Sequence, residues 1–146
     1  MYWNQHEGRS PNWNMQYAFR GHMVVLCNER TASDGEAFSE GFRRLGLGKV
    51  IGTRTWGGEI WLSSSNTVVD GGLASAGEFG VFDENGAWLI EGRGVDPDMV
   101  VDNLPHATFK GGDAQLDAAV AHLKELIRTE PRGIPPVPPA PVKSVK

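Results

Sequence analysis

Apolar residues fall in short blocks whose spacing changes along the chain. Met23-Val24-Val25-Leu26-Cys27 is a continuous apolar run, the pattern of a strand covered on both faces. From Ser33 to Leu45 the spacing becomes helical, which puts Ala37, Phe38, Gly41, Phe42 and Leu45 on one face, with Gly46 as the stop. Gly41 costs such a helix about 1 kcal/mol relative to alanine, so close backbone packing is the expected reason for it. Lys49 to Thr55 alternates well enough for a second strand. A strand–helix–strand unit of this kind predicts parallel strands joined by a right-handed crossover.

After Trp56-Gly57-Gly58 the pattern shifts to short apolar runs around turn sequences. Asp70-Gly71-Gly72 and Asp83-Glu84-Asn85-Gly86 predict β-hairpins. Trp88-Leu89-Ile90-Glu91 reads as a strand interrupted by Gly92-Arg93-Gly94, and Met99-Val100-Val101 as another. Asp113 to Glu130 is the clearest helix. Leu116, Ala119, Val120, Leu123, Leu126 and Ile127 keep its spacing, Asp113 caps it, and Pro131 stops it. Three regions result: an aromatic-rich segment at 1–20, a globular body at 21–130 and a polyproline-like tail at 131–146, expected to lie extended on the surface. Tyr2, Trp3, Trp13, Tyr17 and Phe19 crowd the first region, and so many rings are expected to pack against something.

The 146 residues, 40% hydrophobic and 22% charged, suit one globular domain with a real core. A formal net charge of -4 supplies no basic field, so nucleic acid and anionic membranes are not expected partners. The single cysteine, Cys27, lies in an apolar run and reads as a core residue, and a chain without disulfides fits a reducing compartment. No signal-peptide pattern or span of about 20 apolar residues is present, so a cytoplasmic location is expected.

The stretch Asn28-Glu29-Arg30-Thr31-Ala32-Ser33-Asp34-Gly35-Glu36 joins a strand to a helix, where open α/β sheets place ligands. A helix start offers free N–H groups and partial positive charge, which suits a serine attacking a carbonyl. The same residues also fit a capping box, Ser33 with Glu36, and Thr31 with Asp34 fits it two residues earlier. Spacing leaves cap and nucleophile equally open. The nucleophile elbow Gly-x-Ser-x-Gly is half matched, with Gly35 present but Thr31 in place of the first glycine. Gly48-Lys49 fails the phosphate-loop pattern, which would need glycine at Arg43 and Ser or Thr at Val50. Gly46-x-Gly48 precedes a strand and so fails the dinucleotide pattern. His6, His22, His106 and His122 show no metal-ligand spacing, so no metal or cofactor site is expected. His106 is assigned to a loop and His122 to the polar side of the last helix. Glu91, Asp96, Asp98 and Asp102 lack the calcium-loop pattern; turn roles account for Asp96-Pro97-Asp98.

Three blocks taken together are more specific. Asn28 to Glu36, Leu45-Gly46-Leu47-Gly48-Lys49-Val50-Ile51-Gly52-Thr53-Arg54-Thr55-Trp56-Gly57-Gly58, and Glu91-Gly92-Arg93-Gly94-Val95-Asp96-Pro97-Asp98 resemble, in order and spacing, the carboxyl-terminal catalytic region of the tricorn proteases over roughly 21–130. The resemblance implies an α/β fold of the crotonase/ClpP-like ββα type and a catalytic set of two serines, a histidine and a glutamate. It identifies Ser33 with the nucleophile, the Asp34 backbone N–H with the oxyanion hole, and Glu91 with the glutamate that orients the second serine and, through it, the histidine. Related carboxyl-terminal processing peptidases carry a lysine base at the position of Gly58, so a Ser–Lys dyad is excluded there. In the family the histidine, its partner serine and the other oxyanion glycine lie far upstream, and no histidine here matches. The expected partners are therefore a peptide substrate and an upstream catalytic segment or a second copy of the chain. Two other functions stay open: a non-catalytic assembly or peptide-binding module of the same fold, and a crotonase-like acyl-thioester enzyme with Ser33 only a cap.

Overall fold

The computed structural model describes residues 2–3, 12–13, 19–62 and 66–139. In chain order the elements are β1 (Tyr2–Trp3), β2 (Asn12–Trp13), β3 (Met23–Cys27), α1 (Asp34–Arg44), β4 (Gly48–Gly52), β5 (Ile60–Leu62), β6 (Gly77–Gly80), β7 (Met99–Val100), α2 (Pro105–Phe109) and α3 (Ala114–Thr129). β1 and β2 pair antiparallel. What covers the rings of the first region lies outside the described residues, apart from Phe19, which is exposed.

The central sheet has the order β3-β4-β7 and is parallel throughout, as the strand–helix–strand reading requires. β4 is its middle strand, and Val50 and Ile51 there are fully buried. α1 and α3 both pack on β3 and β4. Asp98 extends the β7 edge: its N–H donates to Val50 O (2.8 Å), and its carboxylate accepts the Val50 N–H (2.8 Å). Asp98 is thus a strap on the sheet as well as a turn residue. The thiol of Cys27 is buried and donates to Thr53 O (3.3 Å); burial raises its pKa, as suits a core residue. Among the described residues no helix is long and apolar enough to cross a membrane.

Several local expectations change. β3 is an edge strand, so its apolar run is only partly covered, and Leu26 is exposed. The second strand ends at Gly52 rather than Thr55, because Gly52 turns at φ 143° and a Cβ there would strike Cys27 O at 1.8 Å. On α1 the buried residues are Glu36, Ser39, Glu40 and Phe42, while Ala37, Phe38 and Leu45 face out. Glu36 anchors this face by accepting from Thr55, Gly57 and Gly58, while Glu40 pairs with Arg43 and Arg44 and Ser39 Oγ donates to Gly35 O within the helix. A Cβ at Gly41 would meet open space, so close packing does not explain that glycine.

Trp88 to Glu91 is not a strand. One bridge joins Phe82 and Trp88, after which Arg93 and Gly94 N–H groups fold back on Ile90 O as a turn. His106 lies on α2 rather than in a loop, since Pro105 has the φ and the missing N–H that suit a first helical turn. Asp113 caps α3 by accepting the Leu116 N–H (2.9 Å), as expected. Only Ala119 of its apolar stripe is buried; Leu116, Val120 and Ile127 are exposed, and His122 is half-buried. The Asp70 turn forms a tight hairpin, with Thr67 bridged to Leu73.

Candidate active site

β3 ends at Cys27, and a loop built on Asn28 carries the chain to α1. Thr31 N–H donates to Asn28 O (2.9 Å), and Asn28 N–H donates to Thr31 Oγ1 (3.0 Å). Ser33 follows as the N-cap of α1, exposed, at φ 51° and ψ −121°. It is the sole non-glycine residue with positive φ among those described. Such strain costs on the order of 1–3 kcal/mol and persists only where the surroundings over-determine it. This is the geometry of a nucleophile elbow, in which a serine stands on a sharp strand-to-helix turn. The elbow brings residues two before and two after the serine together. A Cβ on Gly35 would lie 3.1 Å from Thr31 Cγ2, a tight contact that the Thr31 side chain would have to relieve by a few tenths of an ångström.

The cap is divided between two side chains. Glu36 accepts the Ser33 N–H (3.1 Å), completing its half of the capping box. The Ser33 hydroxyl faces the Glu36 N–H as the other half of the box, and that N–H also donates to Ser33 O at 2.7 Å. Asp34 is the first residue of α1, and no acceptor among the described residues takes its N–H.

Glu36 is the centre of the arrangement, a role that sequence reading missed beyond the capping box. It is fully buried, and it accepts from Thr55 Oγ1 (2.5 Å), Gly57 N (2.7 Å) and Gly58 N (2.9 Å) as well as from Ser33. Burial is the strongest single influence on its pKa and pushes it up; the four donors together outweigh burial and leave it lowered. A buried anion thus holds the Ser33 turn against the loop after β4. The signal was the glycine pair itself, which frees two adjacent N–H groups to meet one carboxylate. Gly58 also has no room for a side chain unless Trp56 moves, since a Cβ would lie 2.3 Å from its ring.

Glu91 sits on the turn before Val95, attached to the same loop from the other side. Gly92 N–H donates to Gly57 O (2.9 Å), and Glu59 N–H donates to Glu91 Oε2 (2.7 Å). Thr55 closes the frame, exchanging bonds with Val95 through its N–H (3.1 Å) and Oγ1 (2.7 Å). Ser33, Asp34 and Glu91 are therefore linked through Glu36 and Gly57–Glu59. A cavity of about 510 Å³ opens beside Glu91, lined by Ile60, Phe79, Gly80 and Trp88 among others. Of the described histidines none is bonded to Ser33: His22 Nε2 meets Glu130 O at 2.8 Å, at the opposite end of β3, and His106 is exposed. His6 lies outside the described residues.

The family model described as peptidase family S41 matches residues 2–101. The tricorn protease of Thermoplasma acidophilum is 38% identical over 119 residues, which cover 82% of this chain and 11% of that protein. Tricorn protease homolog 1 of Streptomyces coelicolor is 37% identical over 134 residues, covering 92% of this chain and 13% of that protein. The crystal structure of the tricorn protease superposes with a TM-score of 0.80 at 36% identity, covering 88% of this chain and 12% of that one. The chain thus spans about an eighth of the length of the relatives it matches.

Proposed function

The chain belongs to peptidase family S41, and from that premise we propose that it supplies the nucleophile-bearing part of a serine peptidase, with Ser33 attacking the peptide carbonyl to form an acyl-enzyme. The observation that carries this reading is the exposed Ser33 held at φ 51°, strained on the turn between β3 and α1. Helix capping alone needs no positive φ, since an N-cap residue ordinarily sits in the extended region. The Asp34 N–H is the oxyanion donor, favoured by the positive end of α1. Glu91 is the acid of the relay. Its carboxylate, fixed by the Glu59 N–H, orients the partner serine and, through it, the histidine base.

That histidine and serine come from a segment corresponding to the upstream part of the tricorn proteases. Without a base the Ser33 hydroxyl is a weak nucleophile. The chain alone is therefore essentially inactive, because loss of triad members leaves only about 10³–10⁴-fold catalysis over water and half the oxyanion hole is missing too. The test is labelling with a fluorophosphonate probe, together with turnover of fluorogenic peptides. Both are measured on the chain alone, on the chain mixed with the upstream region of a tricorn-type relative, and on the Ser33→Ala variant. Labelling and turnover that appear only in the mixture, and only with Ser33, support the reading. Strong labelling of the chain alone would reveal a base within it; no labelling in either case would favour the binding-module alternative.

A further inference from the structure

Glu59 follows the glycine pair that Glu36 binds, and the relay described above uses only its main chain. Its side chain is 2% exposed, and Glu59 Oε2 is the one buried side-chain oxygen or nitrogen among the described residues that has no hydrogen-bond partner. The charged groups that face it are Asp34 and Glu36 on α1 and Glu91 on the turn before Val95, all acidic, while the nearby Ala37 N–H donates to Ser33 O (3.1 Å). An unpaired carboxylate cannot be held in such a place without cost, and a buried acid in this position neutralises itself instead. The geometry points to Glu59 as a positioning residue that works as a neutral acid: with a proton on Oε2, it lets the Glu91 carboxylate rest against the Glu59 N–H beside α1, and on releasing that proton to solvent it repels Glu91 and loosens the turn that carries it.

The two buried glutamates divide the work by their surroundings. Glu36 has four donors and stays ionised. Burial pushes the Glu59 carboxyl up, Glu36, Asp34 and Glu91 push it the same way, and the Ala37 N–H opposes them. Where carboxyls crowd together, the proton settles on the one with fewest donors. Because the folded value lies above the unfolded 4.5, the folded chain keeps a proton that the unfolded chain has released. The stabilisation is complete below pH 4.5 and fades as pH rises through the folded value. The proposal concerns the Glu91 turn and stands whether or not Ser33 attacks a carbonyl.

The experiment uses the whole 146-residue chain with its glutamate carboxyl carbons labelled. The Glu59 and Glu91 resonances are followed against pH, and urea unfolding is measured over the same range for the chain and for Glu59→Gln. Glu59 is expected to keep its proton above pH 4.5, and the Glu91 resonance to step at the Glu59 midpoint. In Glu59→Gln the Glu91 step is expected to vanish and proton release on unfolding to fall by about one. Ionisation of Glu59 at or below 4.5, or a Glu91 resonance blind to the Glu59 midpoint, overturns the proposal. So does a Glu91 step that survives in Glu59→Gln, because a merely structural glutamate would behave that way. If Glu59→Gln does not fold, the titration of the unaltered chain decides alone. Repeating the titration in Ser33→Ala separates this outcome from the peptidase reading, since the Glu91 step is expected there unchanged.

Discussion

Ser33 stands at φ 51° where most side chains strain the backbone, and the elements on either side leave it no other conformation. Its cost, on the order of 1–3 kcal/mol, is stored next to the hydroxyl it presents. Glycine adopts this backbone freely but makes the unfolded chain looser by roughly 0.5–1 kcal/mol. Ser33→Gly is therefore expected to stabilise the chain by about 1 kcal/mol, whereas Ser33→Ala keeps the strain and gains nothing. Urea unfolding midpoints of the two variants check this, and equal midpoints would show that the turn is unstrained.

At the level of elements, Glu36 binds α1 to the loop between β4 and β5, and so to the turn of Glu91. Glu36→Ala would leave one hydroxyl and three N–H groups without an acceptor, and a loss on the order of 3–5 kcal/mol is expected. Its pH dependence has the opposite sign to that of Glu59. The lowered folded value gives stability that is present above the unfolded 4.5 and lost as pH falls below it. Thermal unfolding between pH 3 and 7 should thus show an acid-side loss that is weaker in Glu36→Gln. Elements whose signal was local were legible in the sequence: β3, β4, the Asp113 cap of α3 and the turn at Asp70. The candidate site was legible only as separate blocks. Ser33, Asp34 and Glu91 came from blocks of sequence, but the bonds of Glu36 and the burial of Glu59 join positions some 20 residues apart, and only tertiary packing creates them. Periodicity also misjudged which face of α1 is buried. It counts apolar residues, and here Glu36 was drawn inward by donors on the loop after β4.

Across the whole molecule, an unusual amount of apolar surface faces out. Leu116, Val120 and Ile127 on α3, Phe38 and Leu45 on α1, and Trp61, Phe79 and Trp88 near the cavity are all exposed. Contiguous patches of such residues mark interaction surfaces. Charged replacements at Leu116 and Ile127 are expected to change stability by no more than about 0.5 kcal/mol, as read by urea unfolding. The central sheet also has a lopsided connectivity: β3 reaches β4 through one helix, but after Gly52 the chain leaves the sheet and returns only at Met99. Loop closure makes the short connection quick and the long one slow. Refolding should accordingly begin with β3, α1 and β4 collapsing around Val50 and Ile51, and end when the strand at Met99 docks. Native-state amide exchange is expected to follow the same hierarchy, slowest at Val50 and Ile51 and faster at Glu59 and Gly92. Each time a molecule folds, the elbow that bears Ser33 is made early, and the turn that bears Glu91 is the last piece to arrive and the first to come loose.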